Sequence, residues 1–230
     1  MKTSGSARSR SGFSLIEIIV AVAIMTLIAG VAVPVVAKVI EREARVSTRG
    51  ELDFLAGAAL EYVRDTGVLP TQAADLGTDP GVAGWSGPYV GSLGLDTKSG
   101  LNAHEVDGWS RAYRFRIAGS VLTIDSAGPD AVFGNGDDLL VSADAALVWR
   151  ERTLLTLKVL NQAVLNYNAA FQATDPLPAN WSQALSRLVL RGYLPSTSGF
   201  ENDAFGSPFV GVPAGFAPLV QVGSTNVGAP

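Results

Sequence analysis

The sequence has no cysteine and only one histidine in 230 residues. Without cysteine there is no disulfide, no thiolate metal centre and no cysteine nucleophile. With His104 alone, a multi-histidine metal site is excluded and a Ser-His-Asp arrangement is hard to build. His104 sits in a polar loop and is expected at the surface. Charge is sparse as well: 17% of residues are charged and the net charge is −4. General nucleic-acid binding rests on a Lys/Arg surplus that neutralises phosphates, so no nucleic acid is expected as a partner. No nucleophile motif is present either, which leaves an anchored hydrolase without a catalytic set and points away from an enzyme.

What the chain does have is one long apolar run. From Ile18 to Ala37 twenty residues pass without a charge, the length that crosses a bilayer core as a helix. Lys2, Arg8 and Arg10 precede it with no acidic residue among them. Such a bias holds an N-terminus in the cytoplasm and puts the remainder of the chain on the far side. A secretory signal peptide would have a shorter core and a small-x-small cleavage site; here the charged, helix-compatible "AKVIEREAR" follows instead. A plain anchor explains the length but not Glu17. An ionisable residue costs roughly 2.5–3.5 kcal/mol at the centre of a membrane helix, less near its edge, and usually has a partner.

The stretch "GFSLIEIIVAVAIMTLIAGVAVP", Gly12 to Pro34, resembles the prepilin signal of type IV pilins and type II secretion pseudopilins. The resemblance implies cleavage after Gly12 by a prepilin peptidase and N-methylation of the new first residue, Phe13. Glu17 then becomes the fifth residue of the mature chain. The resemblance implies that it neutralises the Phe13 ammonium of a neighbouring subunit in a filament. The two positions lie one helical turn apart, about 6 Å along the axis, and pairing in low dielectric turns a costly charge into a register device. Pro34 falls where the family often bends its helix.

Past Pro34 the helical pattern continues. Leu52, Leu55, Ala59 and Tyr62 or Val63 recur at spacings of three and four, and "DTGVLP" ends the pattern with Gly67 as the residue just past the helix. A helix from Phe13 to about Thr66 would be roughly 80 Å long. "YRFRIAG" and "SVLTIDS" alternate like strands around Gly119, a hairpin signal. Here the resemblance narrows to the major pseudopilin of type II secretion. Trp85, Gly87, Pro88 and Tyr89 carry one motif; Asp107, Trp109 and Tyr113 a second; Ser126, Gly128 and Asp130 a third. The chain departs from the family at Ser110 and Ala112, where Gly and Pro are usual, and at Leu139 and Leu140, where another acidic residue is common. The segment "DSAGPDAVFGNGDDLL" is rich in oxygen donors of the kind hard cations take, but it lacks EF-hand spacing. By itself it reads as a solvated acidic loop. The matching loop of the major pseudopilins binds calcium, so the resemblance implies a structural calcium held by Asp130 and Asp138, with Asp137 and Ser126 as weaker ligands.

A pseudopilin of this kind would end near Val141, yet ninety residues follow. "LVWRERTLLTLKVLNQAVLNYNAAF" places Leu157, Leu160, Val164, Tyr167 and Phe171 on one stripe, and "SQALSRLVLRGYLP" reads as a short helix stopped by Gly192. "LAGAALEY" (55–62) aligns with "LNQAVLNY" (160–167), and "DGWSRAY" (107–113) with "DAFGSPF" (203–209). These matches suggest an internal duplication. The reading is an α+β chain. Residues 1–12 are a cleaved leader and 13–36 a membrane and filament-core helix. Residues 37–144 form a head of helix and small antiparallel sheet with the acidic loop, and 145–230 a second such head without a membrane segment. The resemblance implies a structural subunit of a secretion pseudopilus, anchored by one span in a bacterial inner membrane with its heads periplasmic. Its partners would be the prepilin peptidase, the inner-membrane assembly machinery and other pseudopilins, or further copies of itself. The rivals are a pilin for adhesion, motility or DNA uptake, and a generic membrane-anchored domain.

Overall fold

A computed structural model describes residues 14–91 and 94–228. Helix α1 spans Leu15–Thr66. Its early part, up to Val46, forms a unit by itself, and Ser47–Pro230 forms a second compact unit. In the first unit the described large apolar side chains from Leu15 to Ile40 are exposed: Leu15 is 77% exposed and Leu27 74%. Helix α1 is long and apolar enough to cross a membrane. The helix continues through Pro34, which can donate no N–H to Gly30, four residues back, and crowds that carbonyl.

In the second unit the end of α1 turns inward. Leu52, Leu55, Ala59, Tyr62 and Val63 are buried, the stripe expected from their spacing. The helix stops at Gly67, whose φ of 82° only glycine adopts freely and whose N–H reaches Val63 O at 2.8 Å. A single-turn helix, α2 (Ala74–Gly77), follows. Strands β1 (Arg114–Ala118), β2 (Val121–Ser126) and β3 (Leu139–Asp144) make an antiparallel sheet in that order. The β1–β2 hairpin turns at Gly119, as its alternation predicts; β3 has no such forecast. Leu122 and Ile124 of β2 pack with Leu139 on the α1 stripe.

Helix α3 (Ala146–Phe171) opens the second half. Its first turn belongs to the first core through Val148, with Trp149 packed against it. From Leu157 onward it builds another core, with Leu160, Val164 and Tyr167 against Leu185 and Leu188 of α4 (Trp181–Leu190) and against Phe209. Asn180 caps α4, its side chain accepting the Gln183 N–H at 3.1 Å, and Gly192 follows the helix with φ of 77°. Strands β4 (Val210–Val212) and β5 (Gln221–Gly223) pair antiparallel. The second half is thus a helix-plus-small-sheet head, as the sequence suggested. The two heads join where α3 meets the end of α1. The Trp149 indole donates to Gly67 O at 2.8 Å, and Arg152 donates to Arg64 O and Asp65 O, filling carbonyls that a helix end leaves open.

Candidate functional site: the stem and the acidic loop

Gly12 and Phe13 lie outside the described residues. Glu17 lies in the first turn of α1, and its carboxylate accepts the Ser14 N–H at 2.9 Å. That bond caps one of the free N–H groups at a helix start, and negative charge there suits the helix dipole.

The head motifs are built around buried polar groups. Asp107 accepts the N–H groups of Trp109 and Arg111 on Oδ1, at 2.9 and 3.0 Å. Its Oδ2 accepts the Ser126 hydroxyl at 2.5 Å, and that hydroxyl in turn accepts the Gly128 N–H. Thr48 of α1 accepts the Gly108 N–H at 2.9 Å. These bonds clamp the loop, the sheet and the helix together. Ser126, expected as a weak metal ligand, is fully buried and donates its proton here. In the first motif Gly87 is required, because a Cβ there would come within 2.7 Å of Trp85 and 2.9 Å of Tyr89. Tyr89 stacks edge-on against Tyr62 of α1 and donates to Asp65 at 2.9 Å. Hydrogen bonds from Ser86 and then Tyr89 hold the Asp65 carboxyl below its ordinary range.

The second head repeats the clamp. Asp203 Oδ1 accepts the N–H groups of Phe205 and Ser207 at 3.0 and 2.9 Å. Its Oδ2 accepts the Ser224 hydroxyl at 2.6 Å, which accepts the Asn226 N–H. Thr153 of α3 accepts the Ala204 N–H. The strand register repeats too: Phe115 faces Ile124, and Gly211 faces Val222. The aspartates stand in the sequence motifs, and Ser126 does too, though expected there as a metal ligand and not as the partner of Asp107; Ser224, Thr48 and Thr153 carry no pattern that marks them.

The acidic loop is where the heads part. It occupies residues 127–138, between Ser126 and its β3 partner Leu139; in the second head Ser224 pairs with Gly228 across only three residues. Gly128, with φ of 60°, lets the loop close on itself, for a Cβ there would lie 2.6 Å from Asp137 O. Asp130 accepts the Val132 N–H at 2.8 Å and the Asn135 amide at 2.6 Å. Asp138 Oδ2 accepts the Gly134 N–H at 2.6 Å, while its Oδ1 is buried without a hydrogen-bond partner. Asp137 donates its N–H to Asn135. Arg111 donates to Gly128 O and Pro129 O. Asp125 at the loop's base is buried between Arg114 and Arg116 and is a structural ion pair. Among the described residues no three acidic or imidazole groups converge as a metal cluster. Asp138 Oδ1 is thus the one acidic oxygen among the described residues that is buried without a hydrogen-bond partner.

His104 is buried, at 9% exposure, which corrects the surface placement expected for it. Its single-turn 3-10 helix, Ala103–Glu105, folds the ring inward, where a Cβ on Gly77 would come within 2.8 Å of it. Neither ring nitrogen has a hydrogen-bond partner. Burial pushes the imidazole below its ordinary value, against the opposing pull of Glu105.

Two comparisons bear on this architecture. Residues 7–33 match the family described as the prokaryotic N-terminal methylation motif. The chain is 31% identical over 126 residues to a protein of Xanthomonas campestris pv. campestris named type II secretion system core protein G, covering 53% of this chain and 79% of that one. No solved structure matches.

Proposed function

The chain belongs to the pseudopilin group of the type IV pilin-like family, whose members are structural subunits and not enzymes, and on that footing we propose that it builds a type II secretion pseudopilus. In this reading a prepilin peptidase cuts after Gly12 and Phe13 is methylated. The stem from Phe13 then passes from the inner membrane into a filament core, with both heads periplasmic. The observation that carries the reading is the uncovered apolar stem behind a prepilin-type motif. A surface of that size and kind requires lipid or other stems around it. Glu17 pairs with the Phe13 ammonium of a neighbour, and Pro34 with Gly30 gives the stem its bending point. Intact-mass spectrometry after co-expression with a prepilin peptidase tests the processing. The mature chain should have lost twelve of 230 residues and gained one methyl group, and a bulky residue at position 12 should block the cut. An uncut chain, or one cut elsewhere, contradicts it.

We further propose that the second head is an internal duplicate of the first, supported by the repeated clamp and strand register. Calcium is the proposed ligand of the acidic loop, held by Asp138 and Asp130, with Asp137 beside them. It would give Asp138 Oδ1 the partner it lacks and would stiffen a segment absent from the second head. Isothermal titration of the detergent-solubilised chain with calcium, against the Asp130→Ala/Asp138→Ala variant, tests this. Heat of binding in the former alone is expected, and equal traces contradict it.

A further inference from the structure

Two features of the heads lack an explanation within a single chain. The first is a pair of glycines, Gly50 and Gly57, on the solvent side of α1. Glycine is the poorest helix former after proline, and a Cβ at either position would meet nothing within 4 Å, so the fold itself has no need of them. The second is α3, whose outer face carries Leu147 at 79% exposure and Leu154 at 38%. Both pairs are spaced by seven residues, close to two helical turns, so each lies along one face.

We propose that these faces dock on each other between copies: α3 of one chain lies parallel against α1 of the next. The proposal rests on the filament reading and names the surface through which heads of successive subunits meet. The charges set the register. With Leu147 level with Gly50 and Leu154 level with Gly57, Arg150 comes level with Asp53, and Lys158 with Glu61. All four charged residues are exposed, and their spacing of eight is the same on both helices. Leucines enter the notches left by glycines, and the long cationic stems cross the contact to carboxylates. The two faces differ, so the contact is heterologous, the kind that runs on from copy to copy in a filament.

The absence of native cysteine makes the test clean. The full chain carrying Gly57→Cys and Leu154→Cys is expressed with its assembly machinery and mildly oxidised. The expected product is a ladder of disulfide-linked dimers, trimers and longer chains, while either single variant stops at a dimer. Asp53→Lys or Arg150→Glu, added singly, should reduce the ladder at least tenfold, and both together should restore it. Nothing beyond a dimer from the double-cysteine chain overturns the proposal. So does a ladder indifferent to the charge changes, or crosslinking only to a protein of different mass, which would assign the face to another partner. Electron microscopy of the unsubstituted chain separates the two readings: filaments without a ladder overturn this docking and leave the filament standing, whereas neither filaments nor a ladder sinks both.

Discussion

The two heads fold around the same device and differ in what they hang on it. In each, a buried aspartate collects two loop N–H groups and a serine hydroxyl, and a helix threonine takes the next N–H. Around that shared frame the first head adds β3 and the acidic loop, where the second has a three-residue turn. Beside β5, Asn161 of α3 both donates to Val222 O and accepts its N–H, at the position where Ile124 in the first head pairs with Val141 of β3. An amide thus stands in for a strand. The first head also carries Tyr113 bonded to Glu51 at 2.7 Å, its hydroxyl pushed up by burial and then by that carboxylate; the second has Phe209 and Thr156 at the matching places. What the heads share maintains the fold, so what they do not share is where separate functions are to be sought.

The largest effects should come from the shared clamp. Asp107→Ala and Asp203→Ala each strand two N–H groups and a hydroxyl in buried surroundings. At about 1–3 kcal/mol per unsatisfied group, each variant should lose about 3 kcal/mol or more in chemical denaturation. Ser47–Pro230 is one compact unit, so both should lower a single common transition. Two transitions, each moved by one variant alone, would make the heads independent bodies.

Calcium should separate the heads. A ligand bound only by the folded chain at a hundredfold excess over its Kd adds about 2.7 kcal/mol. That gain should vanish in Asp130→Ala/Asp138→Ala and survive Ser224→Ala, when melts are compared in metal and in chelator. Loss of the calcium shift on changing Ser224 would place the metal's effect outside the loop.

Acid should act through His104, which has no counterpart in the second head. Burial lowers its folded pKa below the ordinary imidazole value of about 6.5, so the unfolded chain binds the proton more readily. Its contribution to stability is complete above about pH 6.5 and declines as pH falls toward the folded pKa, by at most about 1.4 kcal/mol per pH unit. His104→Leu should flatten that part of the stability-versus-pH curve; an unchanged slope would show the ring is not the titrating group.

The smallest effect is an exchange of one residue between heads. Ser110 adopts a left-handed φ of 63° where the second head has Gly206 at 84°. Ser110→Gly should gain about 0.5–1 kcal/mol through relieved backbone strain, less what the Ser110 bond to Asp96 supplies. Gly206→Ser should lose a similar amount in the same denaturant titration.

Much of this was legible beforehand, for physical reasons. The stem announces itself by an uncharged run, the α1 and α3 stripes by their period, and the stops at Gly67 and Gly192 by residues that tolerate positive φ. The clamp was half legible: Asp107 and Asp203 lie in matching heptapeptides and Ser126 in a motif, but the bonds of Ser126 to Asp107 and of Ser224 to Asp203 form only once the strands are in register. β3 was hidden behind the acidic loop, and Asn161 sits mid-helix beside Gln162 with nothing to tell the two amides apart. His104 looked exposed because its neighbours are polar, yet a single 3-10 turn buries it. The loop was legible as acidic, but not the orphaned oxygen of Asp138, which depends on the Gly134 N–H satisfying the other one.

In the proposed filament, subunits assemble through the stem by way of the charge at Glu17. The most direct test is the sheared, pelletable filament fraction of Glu17→Leu beside the unsubstituted chain, both expressed with the assembly machinery and checked for equal membrane insertion. Glu17→Leu should insert at least as well, since a costly carboxylate is gone, while its filament fraction should fall at least tenfold because the neighbouring ammonium is left unpaired. Filaments of Glu17→Leu at the unsubstituted level would contradict it.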